Sequence, residues 1–232
     1  MLQPLRRHRA LLTLAGLALF AGLLGGCTKD DEAPQNLPDG ATLLNEAADA
    51  MREVNSAHVR IDVEGNISSL PLKRAEGDLL RSGDSKGTLQ LSQGGALIEY
   101  EFVVVGDSIY LKGATGGWQQ LPAAMASTIY DPSAILDPER GIVKILSTAS
   151  EPVTEARESV NGRDAYRVAV KLDNLAAGAL VPGMPPGVTG KLWLDAETKH
   201  LVKAVLTVPG DPPGTVNLDV SAINEPVTVS AP

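Results

Sequence analysis

From residue 58 onwards the apolar residues of this chain recur at every second position, and this alternation restricts the fold more than any other feature. Val59, Ile61 and Val63 alternate with charged residues, which is typical of an antiparallel strand with one buried face. Similar segments follow at residues 71–81, 87–93, 96–105, 108–112, 152–160, 163–172, 189–195, 200–208 and 214–222. Turn signals such as Gly94-Gly95 and Asn161-Gly162 separate them. We therefore expect roughly nine or ten antiparallel strands.

Other segments have helical spacing. Asp39 can cap a helix that runs to about residue 55, and a short helix is expected at 173–180. Asp131-Pro132 and Asp137-Pro138 each place a capping acid before a proline, which predicts one helix at 132–136 and a longer one at 138–149.

Helices and strands do not alternate regularly along the chain, so the pattern favours the α+β class. We expect a single, strongly curved antiparallel β-sheet with helices packed on one face. The run Ala96–Val105 is apolar on both faces from Phe102 onwards, so we expect it near the centre of the sheet.

The N-terminus has the pattern of an export signal. Arg6, Arg7 and Arg9 precede the uncharged run 10–24, which is too short to span a bilayer as a mature helix. The run ends in Leu24-Gly25-Gly26-Cys27, which resembles the lipobox of bacterial lipoproteins. We interpret residues 1–26 as a lipoprotein signal peptide, residues 27–38 as the acylated Cys27 with a flexible tether, and residues 39–232 as the folded domain. A plain signal peptide, or a buried cysteine in an N-terminal helix, is the alternative.

Composition argues against several kinds of functional site. The chain has one Cys and three His, which excludes a disulfide framework and a cysteine-based zinc site. Its formal charge of −8 argues against nucleic acid as a partner. The sequence has no GxSxG, Walker A, GxGxxG or DxDxDG motif, and we interpret His58 and His200 as ordinary strand residues. We expect no catalytic residues, no metal and no cofactor, so an envelope hydrolase is a disfavoured hypothesis.

Aromatic residues make up only 3% of the chain, so its interior must be filled by aliphatic side chains. Aliphatic side chains suit contact with acyl chains, which offer neither stacking nor hydrogen bonds. An ordinary aliphatic core is the alternative, and composition does not separate the two.

Short segments between residues 37 and 228 carry a family resemblance. They are Leu37-Pro38-Asp39, Ser56-Ala57-His58, Gly77-Asp78-Leu79, Gly94-Gly95, Phe102-Val103-Val104, Ile109-Tyr110, Ile129-Tyr130-Asp131-Pro132, Leu136-Asp137-Pro138, Val160-Asn161-Gly162 and the strand around Trp193. The segments 129–138 and 56–58 are the most specific. On these segments the mature chain resembles the LppX/LprA/LprF/LprG lipoprotein family of mycobacteria and related actinobacteria.

This resemblance implies a half-barrel sheet, related in shape to LolA and LolB, with helices that close an apolar cavity on its concave face. It implies a protein anchored to the cell membrane and facing the cell wall. The implied ligands are triacylated glycolipids or triacylglycerol, held by their acyl chains and carried across the envelope. The implied protein partner is a major-facilitator efflux transporter. A non-catalytic surface scaffold, or a regulator of a membrane partner, is the alternative function.

The resemblance also suggests where lipid binds. In the family, the strand that corresponds to residues 87–93 borders the cavity mouth, and Leu89 and Leu91 occupy its apolar positions here. Strand parity and the helical stripe add four further candidates, which are Ile98, Phe102, Val104 and Ile142. Plain core packing is the alternative for each of them. A cavity for several acyl chains should exceed the ~300–1,000 Å³ of an ordinary ligand site.

Overall fold

The computed structural model describes residues 36–65, 67, 70–122, 134–180 and 184–232. The chain divides after Gln35, and everything described lies in the second unit, Asn36–Pro232. The predicted signal peptide, Cys27 and most of the predicted tether lie outside the described residues.

The alternating segments form one open antiparallel sheet of 11 strands within the described residues. Their bounds are β1 Ser56–Glu64, β2 Leu72–Leu80, β3 Ser85–Gln93, β4 Ala96–Val105, β5 Ser108–Gly113, β6 Gln119–Pro122, β7 Ser150–Val160, β8 Arg163–Lys171, β9 Thr189–Asp195, β10 Leu201–Val208 and β11 Gly214–Ser221. The spatial order is β6-β5-β4-β3-β2-β1-β11-β10-β9-β8-β7. Strands that are adjacent in the sheet are therefore consecutive in sequence, except for β1 and β11, and the consecutive strands β6 and β7 form the two opposite edges.

The pairing of β1 with β11 joins the N-terminal and C-terminal halves of the sheet. His58 lies opposite Ser221, and the pairing continues to Glu64 opposite Thr215. Just before the strand, the Asn55 backbone N–H donates to the Asn224 side-chain oxygen at 2.7 Å. The end of the chain thus completes the middle of the sheet.

Alternation gives the sheet two unlike faces. The face that packs against the helices is called the inner face, and in β1 it consists of the buried residues Val59, Ile61 and Val63. The other face is called the outer face, and it is polar along β1. A single buried cluster joins inner-face residues of β1 with residues of the helices, such as Leu43 and Leu146. Burial of apolar area against the helices is the main stabilising contribution for such a layered arrangement.

Three helices cover the inner face within the described residues. They are α1 Gly40–Arg52, α2 Ile142–Thr148 and α3 Asn174–Leu180. Helix α1 begins where predicted, because the Asp39 carboxylate accepts a hydrogen bond from the Thr42 backbone N–H at 2.8 Å. Its buried side includes Leu43, Ala47 and Met51, which are spaced by four residues.

The middle of the chain differs from the prediction in two ways. The helix predicted at 138–149 begins only at Ile142, because the backbone of Gly141 is not helical (φ −97°, ψ −141°). A Cβ atom on Gly141 would overlap the Ile135 carbonyl oxygen, so only glycine fits this position. Of the helix predicted at 132–136, residues 134–136 form a single turn, and residues 132 and 133 lie outside the described residues.

Two predictions about the sheet also need correction. The run Ala96–Val105 is not central, because β4 has β5 and β6 beyond it and the central position belongs to β1. Strand β6 was not predicted at all, since its four residues show no alternation of apolar and polar side chains.

Candidate functional site

The inner face of strands β3, β4 and β5 presents a band of apolar side chains. We call this band the β3–β5 inner surface, and it consists of Leu89, Leu91, Ile98, Tyr100, Phe102, Val104, Ile109 and Leu111. Cross-strand pairing brings the band together. Leu91 lies opposite Ile98, and Leu89 lies opposite Tyr100. Farther along the same strands, Phe102 lies opposite Leu111 and Val104 opposite Ile109.

Five of the six predicted lipid-contact residues lie on this surface. Leu89 and Leu91 come from β3, while Ile98, Phe102 and Val104 come from β4. They share one face because residues directly opposite each other in an antiparallel pair point to the same side. The structure therefore places these five side chains together, and their contact with a ligand stays a prediction.

Burial along the β3–β5 inner surface is graded. Phe102, Val104 and Ile109 are nearly enclosed and form a small cluster of their own, with exposures of 7%, 8% and 6%. Leu89, Ile98 and Tyr100 are only half-buried. Leu89 packs against both this small cluster and the main core, so it connects the two. The half-buried side chains leave apolar area within reach of a ligand.

The sixth predicted residue, Ile142, lies elsewhere. It begins α2, is 1% exposed and belongs to the main core that α1 and α2 form over the sheet. Leu91 is a buried member of the same core and Leu89 packs against it, whereas Ile142 lies on a helix and not on the β3–β5 inner surface, and its contact with a ligand stays a prediction. Its helical stripe correctly predicts burial and gives no information about which layer it faces.

Three residues of the β3–β5 inner surface were missed at the level of sequence. Tyr100 was overlooked among its charged neighbours, and Ile109 and Leu111 lie on the short strand β5. Strand parity in β4 and β5, combined with the hairpin turn Gly106-Asp107, could have found all three.

Beside this surface, a pair of glycines allows the backbones of β2 and β3 to lie unusually close together. Gly77 and Gly87 lie opposite each other in β2 and β3, and a Cβ atom on Gly77 would overlap the Lys86 carbonyl oxygen. Beside this pair lies a narrow, mostly apolar crevice of about 10 Å³, whose lining includes Val59, Ile61, Ala75, Gly77, Leu79, Phe102 and Ile135. This crevice has room for about one water molecule. The much larger cavity expected for several acyl chains stays a prediction.

The outer face is chemically different. A wide polar groove of about 910 Å³ runs across β10, β11, β1, β2 and β3, and charged residues dominate its lining. Arg60 and Arg74 each donate to Asp62, with Nε to carboxylate oxygen distances of 2.7 and 2.6 Å. Burial on its own raises the pKa of Asp62, but these hydrogen bonds outweigh it and hold the pKa below its ordinary value. Arg60, Asp62 and Arg74 in the lining of the groove are thus already paired with one another.

The histidines occupy separate places. His58 lies on the outer face of β1, where Nδ1 is 2.8 Å from Asp78 and Nε2 is 3.4 Å from Glu76. His200 lies just before β10, and desolvation lowers its pKa although nearby Asp195 partly opposes the shift. Among the residues that the structure describes, no group of three or more His, Cys, Asp or Glu is arranged to hold a metal ion.

Within the described part of the chain, no helix has both the length and the apolar character that a membrane crossing requires.

Four large apolar side chains are exposed in the described part of the chain, and they lie on β4, before β6, on β7 and on α3. They are Leu97, Trp118, Val153 and Leu175.

Comparison with known proteins identifies the family. The family model described as LppX_LprAFG lipoprotein matches residues 39–229. A protein named lipoarabinomannan carrier protein LprG, from Mycolicibacterium smegmatis, is 31% identical over 93% of this chain and 93% of its own length. The protein of the same name from Mycolicibacterium hassiacum is 32% identical over 94% of this chain and 96% of its own length.

Two solved structures share the fold. LprF from Mycobacterium bovis superposes with a TM-score of 0.75 at 24% identity, covering 84% of this chain and 98% of LprF. LppX from Mycobacterium tuberculosis gives a TM-score of 0.62 at 22% identity, covering 82% of this chain and 97% of LppX. On the family match over residues 39–229 and the similarity to the LprG proteins, the chain belongs to the LppX/LprAFG family of lipoproteins.

Proposed function

We propose that this lipoprotein binds the acyl chains of triacylated lipids at the β3–β5 inner surface and carries them across the cell envelope. The observation that supports this most directly is the graded burial of that surface. Leu89, Ile98 and Tyr100 turn apolar area towards the helix layer and yet remain half-buried. Acyl chains that cover this area would release its bound water, which contributes about 25 cal/mol per Å² of apolar surface.

The names of the relatives support one class of lipid as the ligand. Proteins about 30% identical to this one are named as carriers of lipoarabinomannan, a glycolipid. We infer a triacylated glycolipid, or triacylglycerol, as the ligand here. The acyl chains lie on the apolar surface, and the polar headgroup stays in water, where its hydrogen bonds are already satisfied.

The anchor and the protein partner are part of the same proposal. Acylation of Cys27 would hold the domain on the outer side of the cell membrane through the short tether. Without residues 1–26 the formal charge falls from −8 to −11, because that segment contains three arginines and no acid. Such a negative charge gives no attraction to anionic headgroups, so the acyl chains supply the attachment. A major-facilitator transporter would release lipid to the carrier or take it up.

Lipid extraction tests this function directly. The mature chain is purified from an actinobacterial host, extracted with organic solvent and examined by mass spectrometry. We expect near-stoichiometric lipids that bear several acyl chains. Protein that reproducibly contains no lipid, and that binds none when mixed with lipid vesicles, contradicts the proposal and favours the scaffold alternative.

A further inference from the structure

The first residue of β3 is a serine whose environment is unusual for a hydroxyl group. Ser85 is 1% exposed and lies on the inner face, directly opposite Leu79 in β2 and Val104 in β4. The next residue of β3 on the inner face is Gly87, and Phe102 of β4 lies opposite Gly87. The hydroxyl is therefore surrounded by apolar side chains at one end of the β3–β5 inner surface.

The Ser85 hydroxyl has no hydrogen-bond partner within the described part of the chain. The other buried polar side chains there are satisfied. Ser56 donates to the Glu225 carbonyl oxygen at 2.7 Å, and Asp195 accepts from the backbone N–H groups of Glu197 and Thr198. Buried polar groups are nearly always paired, so an unpaired hydroxyl in a binding surface indicates a partner outside the protein.

The position of Ser85 limits what that partner can be. The narrow crevice is lined in part by Gly77, Leu79 and Phe102, and Ser85 lies directly opposite Leu79, so the hydroxyl is close to this crevice. A hydroxyl can donate one hydrogen bond, and its surroundings are too apolar to solvate a charged group. A neutral oxygen on an otherwise apolar molecule meets both conditions.

We infer that the Ser85 hydroxyl donates a hydrogen bond to an ester carbonyl oxygen of the bound lipid. This inference rests on the proposed function and adds a polar contact to it. Hydrocarbon chains slide along an apolar surface without preference, whereas one directional hydrogen bond fixes where an ester lies. The contact also makes the site selective for ester-linked acyl chains over ether-linked alkyl chains, because an ether oxygen is the weaker acceptor.

Two matched probes test the contact. They are tripalmitoylglycerol, which has ester links, and 1,2,3-tri-O-hexadecylglycerol, which has ether links and chains of the same length. Dissociation constants are measured for the delipidated mature chain by displacement of a fluorescent fatty acid. We expect wild-type protein to bind the ester probe roughly three- to tenfold more tightly than the ether probe.

The variant Ser85→Ala should remove this preference and bind both probes alike. Ser92→Ala is the control, since it is the same substitution on the same strand but on the outer face. In delipidated protein, Ser85→Ala should unfold at the same or a slightly higher temperature, because it removes an unpaired buried hydroxyl.

The possible outcomes separate this inference from the proposed function. If wild-type protein binds both probes equally, or if Ser85→Ala keeps the ester preference, the hydrogen bond to the lipid is overturned and lipid binding stands. The Ser85 hydroxyl would then pair with a water molecule. If wild-type protein binds neither probe, the proposed function is overturned and this inference falls with it.

Discussion

At the scale of single residues, we expect lipid binding to depend most on Leu89. It lies between Ala75 and Tyr100 in the cross-strand pairing, and it contacts both the main core and the Phe102 cluster. Because it is half-buried, a larger side chain can extend over the apolar surface without first displacing the core. A larger side chain at this position should therefore reduce lipid binding more than it reduces the stability of the fold.

We expect Leu89→Trp to reduce the amount of co-purified lipid by roughly tenfold, since overpacking a filled site costs about 1–3 kcal/mol. The measurement is lipid per protein by mass spectrometry, with circular dichroism to verify folding. Thr88→Trp provides the matched control, because the neighbouring Thr88 is exposed on the outer face. Equal lipid loading of the two variants would show that Leu89 has no role in binding.

The alternation of residues along each strand predicted which face of the sheet a side chain occupies, but it did not predict the function of that side chain. Alternation placed Leu89, Leu91 and their β4 partners on one face, and the structure agrees. A helical stripe could not distinguish Ile142 in the main core from a residue that borders a ligand. Ser85 gave no signal, because its burial results from pairing with Leu79 and Val104, which the local sequence does not reveal.

At the scale of the elements, the turn between β9 and β10 is built around a buried carboxylate. Asp195 is 4% exposed, and it accepts backbone hydrogen bonds from Glu197 and Thr198 at 3.0 and 2.8 Å. Burial raises the pKa of Asp195, but these hydrogen bonds and the Arg163 guanidinium outweigh burial, so the pKa falls below its ordinary 3.8. The stabilisation is thus present above this pH and is lost as pH falls through the lowered pKa.

We expect Asp195→Asn to lower the free energy of unfolding by about 1–3 kcal/mol at pH 7, because the charged acceptor is lost. At pH 3 the difference from wild type should be smaller, because this pH lies below the ordinary pKa of 3.8 and the carboxylate of the unfolded chain is then mostly protonated, which reduces the stabilisation. Urea unfolding at the two pH values provides the measurement. Asp107→Asn, in the exposed β4–β5 turn, should be neutral at both. A loss that is the same at pH 3 and pH 7 would contradict the assigned role of the charge.

The elements that the sequence predicted well are those with their own local signals. Asn161 and Gly162 have φ values of 52° and 80°, which is the left-handed backbone that a tight hairpin requires, and this turn was predicted. Strand β6 lacks an alternating pattern, and α2 is shortened because the backbone of Gly141 is not helical. Both departures depend on contacts with other parts of the chain, which the local sequence pattern does not show.

At the scale of the whole molecule, attachment to the membrane should depend on Cys27 alone. We expect Cys27→Ala to move the protein from the membrane fraction to the soluble or secreted fraction, because two or more acyl chains are needed for stable anchoring. Immunoblotting of separated fractions measures this, and Thr28→Ala should remain in the membrane fraction. The folded domain of Cys27→Ala should still bind lipid. Protein that stays fully with the membrane would contradict the lipoprotein interpretation of residues 1–27.

The sequence predicted the type of sheet and the side on which the helices pack, but it did not predict the order of the strands. Alternation and the family resemblance gave one antiparallel sheet with helices on one face, and the structure confirms this. The strand order could not be derived from periodicity, which is the same for every strand of a half-buried sheet. The central position predicted for β4 was wrong, because a strand can have apolar side chains on both faces without lying at the centre of the sheet.

The pairing of β1 with β11 has a consequence for the order of folding. Strand β1 obtains its second neighbour only from the far end of the chain, and the contact that precedes it joins residues 169 positions apart. Closing so long a loop costs more entropy than closing the hairpins, so we expect the two half-sheets to form before β1 and β11 pair. While the chain is still emerging from a ribosome or a translocation pore, β1 is therefore an open edge. The last strand to arrive is the one that protects it from pairing with another molecule.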